Sequence, residues 1–306
     1  MFAKIALLAA AAQLGTIIVP LQKTPRQVEQ PRAPLAAAGP AFAASCKDWD
    51  DWDKPAPPVR IHANTYLVGT CGISSILITG TAGHILIDGG PENAADLIAS
   101  NIRKLGFRLS DVKIILSSHE HNDHVGGIAR LQRMSGARLF ASPAAAKVLT
   151  TGAAGAGDPQ AGMQKPFSPA KVDRIIRDGE TVSLGNLTLT AVATPGHTPG
   201  AMTWRWVSCD GGVCRSIVYA DSLTPVSRGD YRFSDHPDYL AAFRASIAKV
   251  GAISDCEILL TPHPSASDMV KRLGRAAVEG DNQCRDYAAA LTKQLDERLA
   301  KEAAAK

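Results

Sequence analysis

Three histidines and an aspartate stand close together in one short stretch of the sequence. They are His119, His121, Asp123 and His124. Imidazole nitrogen is a preferred ligand of zinc, and carboxylate oxygen completes harder sites. Two histidines separated by one residue can point at one metal ion, while the adjacent aspartate and histidine face a second ion a few ångströms away. The spacing therefore predicts a metal centre, and metals that activate water support hydrolysis.

Two further histidines are placed where they could join this cluster. His197 lies in the glycine-containing stretch 194–200, and His263 lies in 261–264, each directly after a predicted strand. Neighbouring glycines give the backbone room to turn. Ligands at the ends of strands far apart in sequence would converge on one edge of a folded pair of sheets. Three histidines lack such neighbours and are interpreted as structural, surface or loop residues: His62, His84 and His236.

The elements that must position these side chains are short strands interleaved with helices. Apolar runs predict strands at 65–68, 75–78, 85–87, 112–116, 138–141, 181–184, 187–192, 202–206, 216–219 and 257–260. Apolar spacing predicts helices at 92–105, 128–134, 239–250 and 287–299. The segment 151–169 is rich in Gly, Ala, Pro and Gln, which is typical of a long surface loop. This order favours an α/β or α+β fold with two covered sheets.

The N-terminus has the features of a leader for export. A lysine precedes a largely apolar run over 5–21, and Ala-Phe-Ala at 41–43 fits a signal-peptidase site. We predict a leader over 1–43, a single domain over 44–306, and a periplasmic protein with no stable membrane association after cleavage. An earlier cut near Ala11 or Ala12, or a permanent membrane anchor, are the alternatives.

Six cysteines agree with export, because an oxidising compartment favours disulfides and the count is even. Cys209 and Cys214 flank a turn-like stretch, so a local bridge is geometrically easy. Pairing of the other four stays open at this point, since six cysteines allow about 15 connectivities. No two cysteines have C-x-x-C spacing, which argues against a cysteine zinc site.

Composition excludes a nucleic-acid partner. The formal charge is +4, but residues 44–306 carry 29 basic and 28 acidic residues, without the basic excess that nucleic-acid binding needs. Hydrophobic residues make up 45% of the chain, as expected for a globular protein with a sizeable core.

Three motifs together resemble the metallo-β-lactamase superfamily. They are H-x-H-x-D-H at 119–124, Pro-Gly-His-Thr-Pro-Gly at 195–200 and Pro-His-Pro at 262–264. The stretches 69–74, 219–224 and 231–235 are similar to true metallo-β-lactamases of the third subclass, and the resemblance covers roughly residues 46–300.

This resemblance implies an αββα sandwich, two mixed β-sheets flanked by helices, with the metal centre at one edge between the sheets. It implies two zinc ions. The first would be held by His119, His121 and His197, and the second by Asp123, His124 and His263. It also implies three disulfides: Cys46–Cys71, Cys209–Cys214 and Cys256–Cys284.

The activity implied is hydrolysis of the β-lactam amide bond of penicillins, cephalosporins and carbapenems by a zinc-bound hydroxide, which confers antibiotic resistance. Asp123 would orient the nucleophile, and the enzyme would act as a monomer. Ser222 and Thr224 resemble contacts to the substrate carboxylate, and Ser222 stands where another subclass has a cysteine ligand. Gln160 resembles a loop glutamine that helps to hold the oxyanion. A tyrosine that some members use for that purpose is missing here, where 227–229 is Ser-Arg-Gly.

Two other functions remain as alternatives. Thioester hydrolases of the same superfamily use a bridging aspartate, and Asp221 lies close to that position, although export and disulfides argue against their cytoplasmic substrates. A non-catalytic zinc protein is the second alternative, but structural zinc needs only a closed four-ligand shell. Asp88 follows a buried strand and is interpreted as a support for the ligands.

Overall fold

The computed structural model of the protein describes residues 38–305. The strands are β1 Val59–His62, β2 Thr65–Leu67, β3 Ile76–Gly80, β4 Gly83–Ile87, β5 Val112–Leu116, β6 Arg138–Ala141, β7 Val172–Ile175, β8 Thr181–Leu184, β9 Leu187–Ala193, β10 Met202–Asp210, β11 Val213–Tyr219 and β12 Ile258–Leu260. The α-helices are α1 Ala38–Ser45, α2 Ala95–Lys104, α3 Asn122–Val125, α4 Ile128–Ser135, α5 Pro143–Thr151, α6 Pro237–Gly251, α7 Met269–Gly274 and α8 Gln283–Ala304.

Two mixed sheets form the centre of the molecule. The first has seven strands in the order β1 to β7, antiparallel as far as β4 and parallel from β4 to β7. The second has five strands in the order β12-β11-β10-β9-β8, with β11 and β12 parallel and the others antiparallel. Helices cover the outer face of each sheet, so the predicted αββα sandwich is confirmed.

Alternation along the strands places one set of side chains between the sheets and the other under the helices. In β3, Ile76 and Ile78 join the core between the sheets, while Leu77 packs with the residues of α2 and α4. In β11, Tyr219 faces the other sheet and Val218 packs with the residues of α6 and α8. Both faces of both sheets are therefore buried.

The ends of several strands deliver the candidate ligands. The segment 117–124 follows β5, the segment 194–200 follows β9, and His263 lies three residues beyond β12. Asp88 follows β4, and Asp221 to Thr224 follow β11. Because β4 and β5 are parallel, and β11 and β12 are parallel, these ends meet at one edge of the sandwich.

All six cysteines are paired. The bridges join Cys46 to Cys71, Cys209 to Cys214, and Cys256 to Cys284, which are the pairs implied by the resemblance. The second closes the β10–β11 hairpin, and the third joins the lead-in of β12 to the start of α8.

The structure contains elements that the apolar pattern did not predict: β1, β7, α1, α3, α5 and α7. Helix α5 has clear end signals, since Ser142 accepts a hydrogen bond from the Ala145 N–H and Gly152 ends the helix with φ 73°. Strand β7 lies at a sheet edge with its two middle residues exposed and its two end residues half-buried, so it lacks an apolar run.

The predicted leader boundary falls inside α1, and residues 1–37 lie outside the described part of the chain. Phe42, in α1, is 1% exposed and belongs to the core between the sheets. Over residues 38–305, no helix has the length and apolar character needed to cross a membrane. The leader and its cleavage site stay predictions.

Candidate metal centre

Three of the predicted ligands form one compact group. His119, His121 and His197 each offer a ring nitrogen, and these nitrogens lie within 4.8 Å of one another. All three side chains are buried, and neighbouring ring centroids are 4.8–4.9 Å apart. The geometry brings together the residues expected to hold the first zinc.

A second group of predicted ligands, Asp123, His124 and His263, lies beside the first. The Nε2 atom of His124 is 3.1 Å from Asp123 Oδ2 and 3.3 Å from His263 Nε2. The His263 Nε2 atom is 3.5 Å from the same aspartate oxygen. His119 also lies within 4.8 Å of Asp123 and His124, so the two groups form one continuous cluster.

Hydrogen bonds on the outer side of the first group decide which nitrogen faces inward. His119 Nδ1 lies 2.7 Å from Asp221 Oδ1, which leaves Nε2 buried with no hydrogen-bond partner. His197 Nδ1 lies 2.9 Å from the Thr224 carbonyl, so Nε2 is the nitrogen that faces the cluster. Partners of this kind fix the tautomer and orientation of metal-binding histidines.

His121 makes its outer hydrogen bond through Nε2, whereas His119 and His197 use Nδ1. Its Nε2 atom lies 3.0 Å from Asp158 Oδ2, so Nδ1 is the nitrogen left for the cluster. Asp158 belongs to the long loop between α5 and β7, and its side chain is buried. The partners of these three imidazoles therefore come from two separate segments of the chain, the stretch 221–224 after β11 and the loop that carries Asp158.

Burial and the Asp123–His124 pair together set the protonation of the cluster. Burial lowers the pKa of His119 well below its ordinary value, that of His197 to about 3 and that of His263 to about 4. Burial would raise the pKa of Asp123, but the neighbouring His124 outweighs it and holds that pKa below its ordinary value. Burial likewise opposes the charge on His124, yet Asp123 raises its pKa.

The cluster suits zinc on chemical grounds. Burial keeps the imidazoles of His119, His197 and His263 neutral, and Asp123 is ionised, which are the forms in which these side chains bind metal. The unpartnered Nε2 of His119 is a buried polar atom that a metal ion would satisfy. All cysteines are in disulfides, so imidazole and carboxylate are the donors available.

Two buried carboxylates brace the segments that carry the ligands. Asp88, at φ 64°, accepts hydrogen bonds of 2.7 Å from the Ser118 N–H, the Ser118 hydroxyl and the Tyr219 hydroxyl. Its Oδ2 atom is 3.9 Å from His124 Nδ1, in agreement with the predicted supporting role. Glu120 accepts from the Thr198 hydroxyl at 2.7 Å and the Gly200 N–H at 2.9 Å, and so ties 119–121 to 197–200.

The cluster opens into a cleft of about 840 Å³. Trp49, Trp52 and Met163 line it and remain 68%, 49% and 53% exposed, so its mouth is apolar. Helix α8 contributes Arg298 and Lys301 to another wall. A concave, partly apolar site beside a polar cluster is typical of small-molecule binding.

The predicted substrate contacts all line this cleft. Gln160 Nε2 lies 3.4 Å from His197 Nε2, which places the amide beside the first group. Ser222 Oγ is buried without a hydrogen-bond partner, and Thr224 Oγ1 is 3.1 Å from His197 Nδ1. Their contacts with substrate stay predictions.

Tyr231 and the three remaining histidines lie away from the cluster. The Tyr231 ring stacks on His236 at 4.5 Å and does not line the cleft, so it does not replace the missing tyrosine. His84 is buried against Phe107, and His62 Nε2 lies 3.4 Å from a backbone carbonyl.

Asp158 and Glu120 were not predicted as functional residues. Asp158 is separated from His121 by 37 residues, and Glu120 from Thr198 by 78, and no local pattern marks such pairs. The sequence shows Glu120 between two predicted ligands, but an acidic residue at this position is equally compatible with a side chain that faces solvent.

Comparison with known proteins agrees with the fold. The family model described as the metallo-β-lactamase superfamily matches residues 68–251, and the chain belongs to this superfamily. It is similar to the solved structure of the MIM-2 metallo-β-lactamase, with 54% identity and a TM-score of 0.83 over 87% of this chain and 98% of that one. It is also similar to MEM-A1, a subclass B3 metallo-β-lactamase from a soil metagenome library. There the identity is 46% and the TM-score 0.81 over 84% of this chain and 100% of that one.

Curated relatives match over shorter lengths. A hydroxyacylglutathione hydrolase of Rhodopseudomonas palustris is 31% identical over 191 residues, which are 62% of this chain and 60% of that protein. The chain thus spans less than two thirds of that relative. The resemblance to the third subclass of metallo-β-lactamases is confirmed by the solved structures.

Proposed function

We propose that this protein is a periplasmic β-lactamase that holds two zinc ions and hydrolyses the amide bond of β-lactam antibiotics. The observation that carries the proposal is the cluster of five histidines and Asp123 at the base of an open cleft. Solved metallo-β-lactamases with 46–54% identity over nearly their whole length support this substrate class.

His119, His121 and His197 would hold one zinc, and Asp123, His124 and His263 the other. Bound zinc would supply a Lewis acid and lower the pKa of a coordinated water to about 7. The Asp123 carboxylate, ionised because its pKa is lowered, can accept a hydrogen bond from the attacking water and orient it. The braced histidines keep the site in place without reorganisation during the reaction.

The substrate would be positioned by hydroxyl and amide groups of the cleft. A β-lactam carries a carboxylate, and the unpartnered Ser222 Oγ together with Thr224 Oγ1 could donate hydrogen bonds to it. The Gln160 amide could donate to the oxyanion that develops on the lactam carbonyl, in the role that a tyrosine has in some relatives. Residues 227–229 offer no phenol for that purpose.

Export to the periplasm is supported by the leader-like N-terminus and by three disulfides. In that compartment the enzyme would meet β-lactams before they reach their targets and would confer resistance. We expect a monomer whose partner is the small-molecule substrate.

The thioester hydrolase alternative depends on Asp221 as a metal ligand. Here one oxygen of Asp221 is 2.7 Å from His119 Nδ1 and the other accepts from the Leu223 N–H, so the side chain lies behind the histidine. Burial raises the pKa of Asp221 well above its ordinary value, which is unfavourable for an anionic ligand. These contacts favour the β-lactamase.

The deciding experiment measures hydrolysis of a carbapenem and a chromogenic cephalosporin by the mature protein, with zinc and after EDTA treatment. Zinc-dependent turnover of either would support the proposal. No turnover by folded protein that holds two zinc ions would refute it, and a lactone and a glutathione thioester would then be tested.

The ligand assignment has its own test. His263→Ala should lose one zinc ion and most of the turnover, because its Nε2 atom lies within 3.5 Å of both Asp123 and His124. His236→Ala is the matched control, since that ring stacks on Tyr231 outside the cleft. If H263A kept both zinc ions, the assignment of the second site would be wrong.

A further inference from the structure

The loop between α5 and β7 runs along the cleft and carries three of its lining residues, Gln160, Met163 and Gln164. The loop is closed at its base by a hydrogen bond from Phe167 N–H to the Gly152 carbonyl, 2.9 Å. Between these points it has no regular secondary structure and includes three glycines. Its position over the metal centre therefore depends on a few specific contacts.

One of these contacts reaches a candidate ligand directly. Asp158 is 3% exposed, and its Oδ2 atom accepts a hydrogen bond from His121 Nε2 at 3.0 Å. The other oxygen, Oδ1, accepts from the Gln160 N–H at 2.8 Å and so holds the turn that presents the Gln160 side chain. One carboxylate thus connects the imidazole with the residue that overlies the first group.

We propose that Asp158 is a positioning residue that couples zinc binding at His121 to the order of the loop 152–168. A metal ion on His121 Nδ1 withdraws electron density from the ring, which makes Nε2–H a stronger donor to Asp158. The carboxylate in turn makes Nδ1 a better ligand. Zinc thereby favours the loop conformation in which Gln160 faces the cleft.

This coupling works in both directions. If zinc stabilises the ordered loop, the ordered loop must strengthen zinc binding by the same factor. Without zinc, His121 can take the tautomer that has no proton on Nε2, and the bond to Asp158 then loses its donor. The inference rests on the proposed zinc site and not on the identity of the substrate.

The test compares the wild type with variants of Asp158 in two measurements. The first is hydrogen exchange of the backbone amides in 152–168, with and without zinc. The second is zinc affinity, measured by competition with a chromophoric chelator. In the wild type, zinc should slow exchange in this loop. In Asp158→Ala, zinc should no longer slow it, and affinity for the first zinc should fall by about 10- to 100-fold. Asp158→Asn keeps one carbonyl acceptor for two donors and should give intermediate values.

Ser168→Ala is the matched control, because it removes a different anchor of the same loop, the hydrogen bond to Glu92. It should speed loop exchange by the same factor with and without zinc, and it should lower zinc affinity far less than D158A does. The proposal is overturned if zinc does not slow exchange in the wild type, if D158A and D158N bind zinc as the wild type does, or if S168A weakens zinc binding as much as D158A. Each readout is independent of β-lactam turnover, so failure of the proposed substrate would be seen separately.

Discussion

Replacement of Glu120 should weaken the fold and the metal centre together. Glu120→Ala would leave the Thr198 hydroxyl and the Gly200 N–H without their acceptors at 2.7 and 2.9 Å. Each unpaired buried group costs about 1–3 kcal/mol, so the two together cost about 2–6 kcal/mol. Burial raises the pKa of Glu120, which means that the buried carboxylate carries a desolvation cost of its own. Removing the carboxylate removes that cost, so we expect a net destabilisation of about 2–4 kcal/mol.

Glu120→Gln separates hydrogen bonding from charge. The glutamine carbonyl can still accept from Gly200 N–H, and the Thr198 hydroxyl can turn to accept from the new amide. The cost should be about 1 kcal/mol or less. The gap between the alanine and glutamine variants therefore measures the hydrogen bonds and not the ionisation of the side chain.

The assay is urea unfolding of zinc-free wild type, E120A and E120Q at neutral pH, with zinc affinity measured in parallel. Thr198→Val, which removes one of the two donors, should cost less than E120A. Zinc affinity should fall in E120A, because the segments 119–121 and 197–200 lose their connection. Equal destabilisation by alanine and glutamine, or a loss below about 1 kcal/mol in E120A, would refute the reasoning.

Three further results are expected. Burial lowers the pKa of His84 below its ordinary 6.5, so the folded state favours the neutral imidazole. The stability that depends on this neutral form is fully present above pH 6.5 and is lost as the pH falls through the folded-state pKa. His84→Leu should therefore flatten the acid side of the pH–stability curve of zinc-free protein, and an unchanged slope would contradict this. Serine at both Cys256 and Cys284, which close 28 residues, should cost about 3.5 kcal/mol in urea unfolding, and a loss below about 1 kcal/mol would contradict the chain-entropy argument. Alanine at Trp49 or Trp52 should remove an aromatic contact worth about 0.5–1.5 kcal/mol. KM should therefore rise about 2- to 12-fold for β-lactams with an aromatic side chain and should not change for β-lactams with a small side chain.

The residue pattern was sufficient to predict a fold with two covered sheets and candidate ligands at the strand ends, and the family resemblance implied the sandwich. Apolar runs mark most central strands because both faces of each sheet are buried, and His119 to His124 follow one such strand directly. Edge strand β7 was missed because half of its side chains face solvent, and its hydrogen-bond partner β6 is far along the chain.

The supports of the site were less accessible to prediction. The pairs Asp158–His121 and Asp221–His119 join residues 37 and 102 positions apart, and such contacts depend on how loops cross the sheet edge. The leader boundary stays a prediction, although a cut after Ala43 would remove the buried Phe42 from the core. That packing favours a cut before α1.

The paired cysteines determine how the protein should respond to oxidants. All six thiols are in disulfides, and the residue at 222, which lines the cleft, is a serine. The metal centre therefore presents no thiolate for peroxide or an alkylating agent to attack. Oxidative chemistry would instead reach the exposed Met163 at the mouth of the cleft, where a sulfoxide changes the polarity of the entrance and leaves the donors of the metal intact.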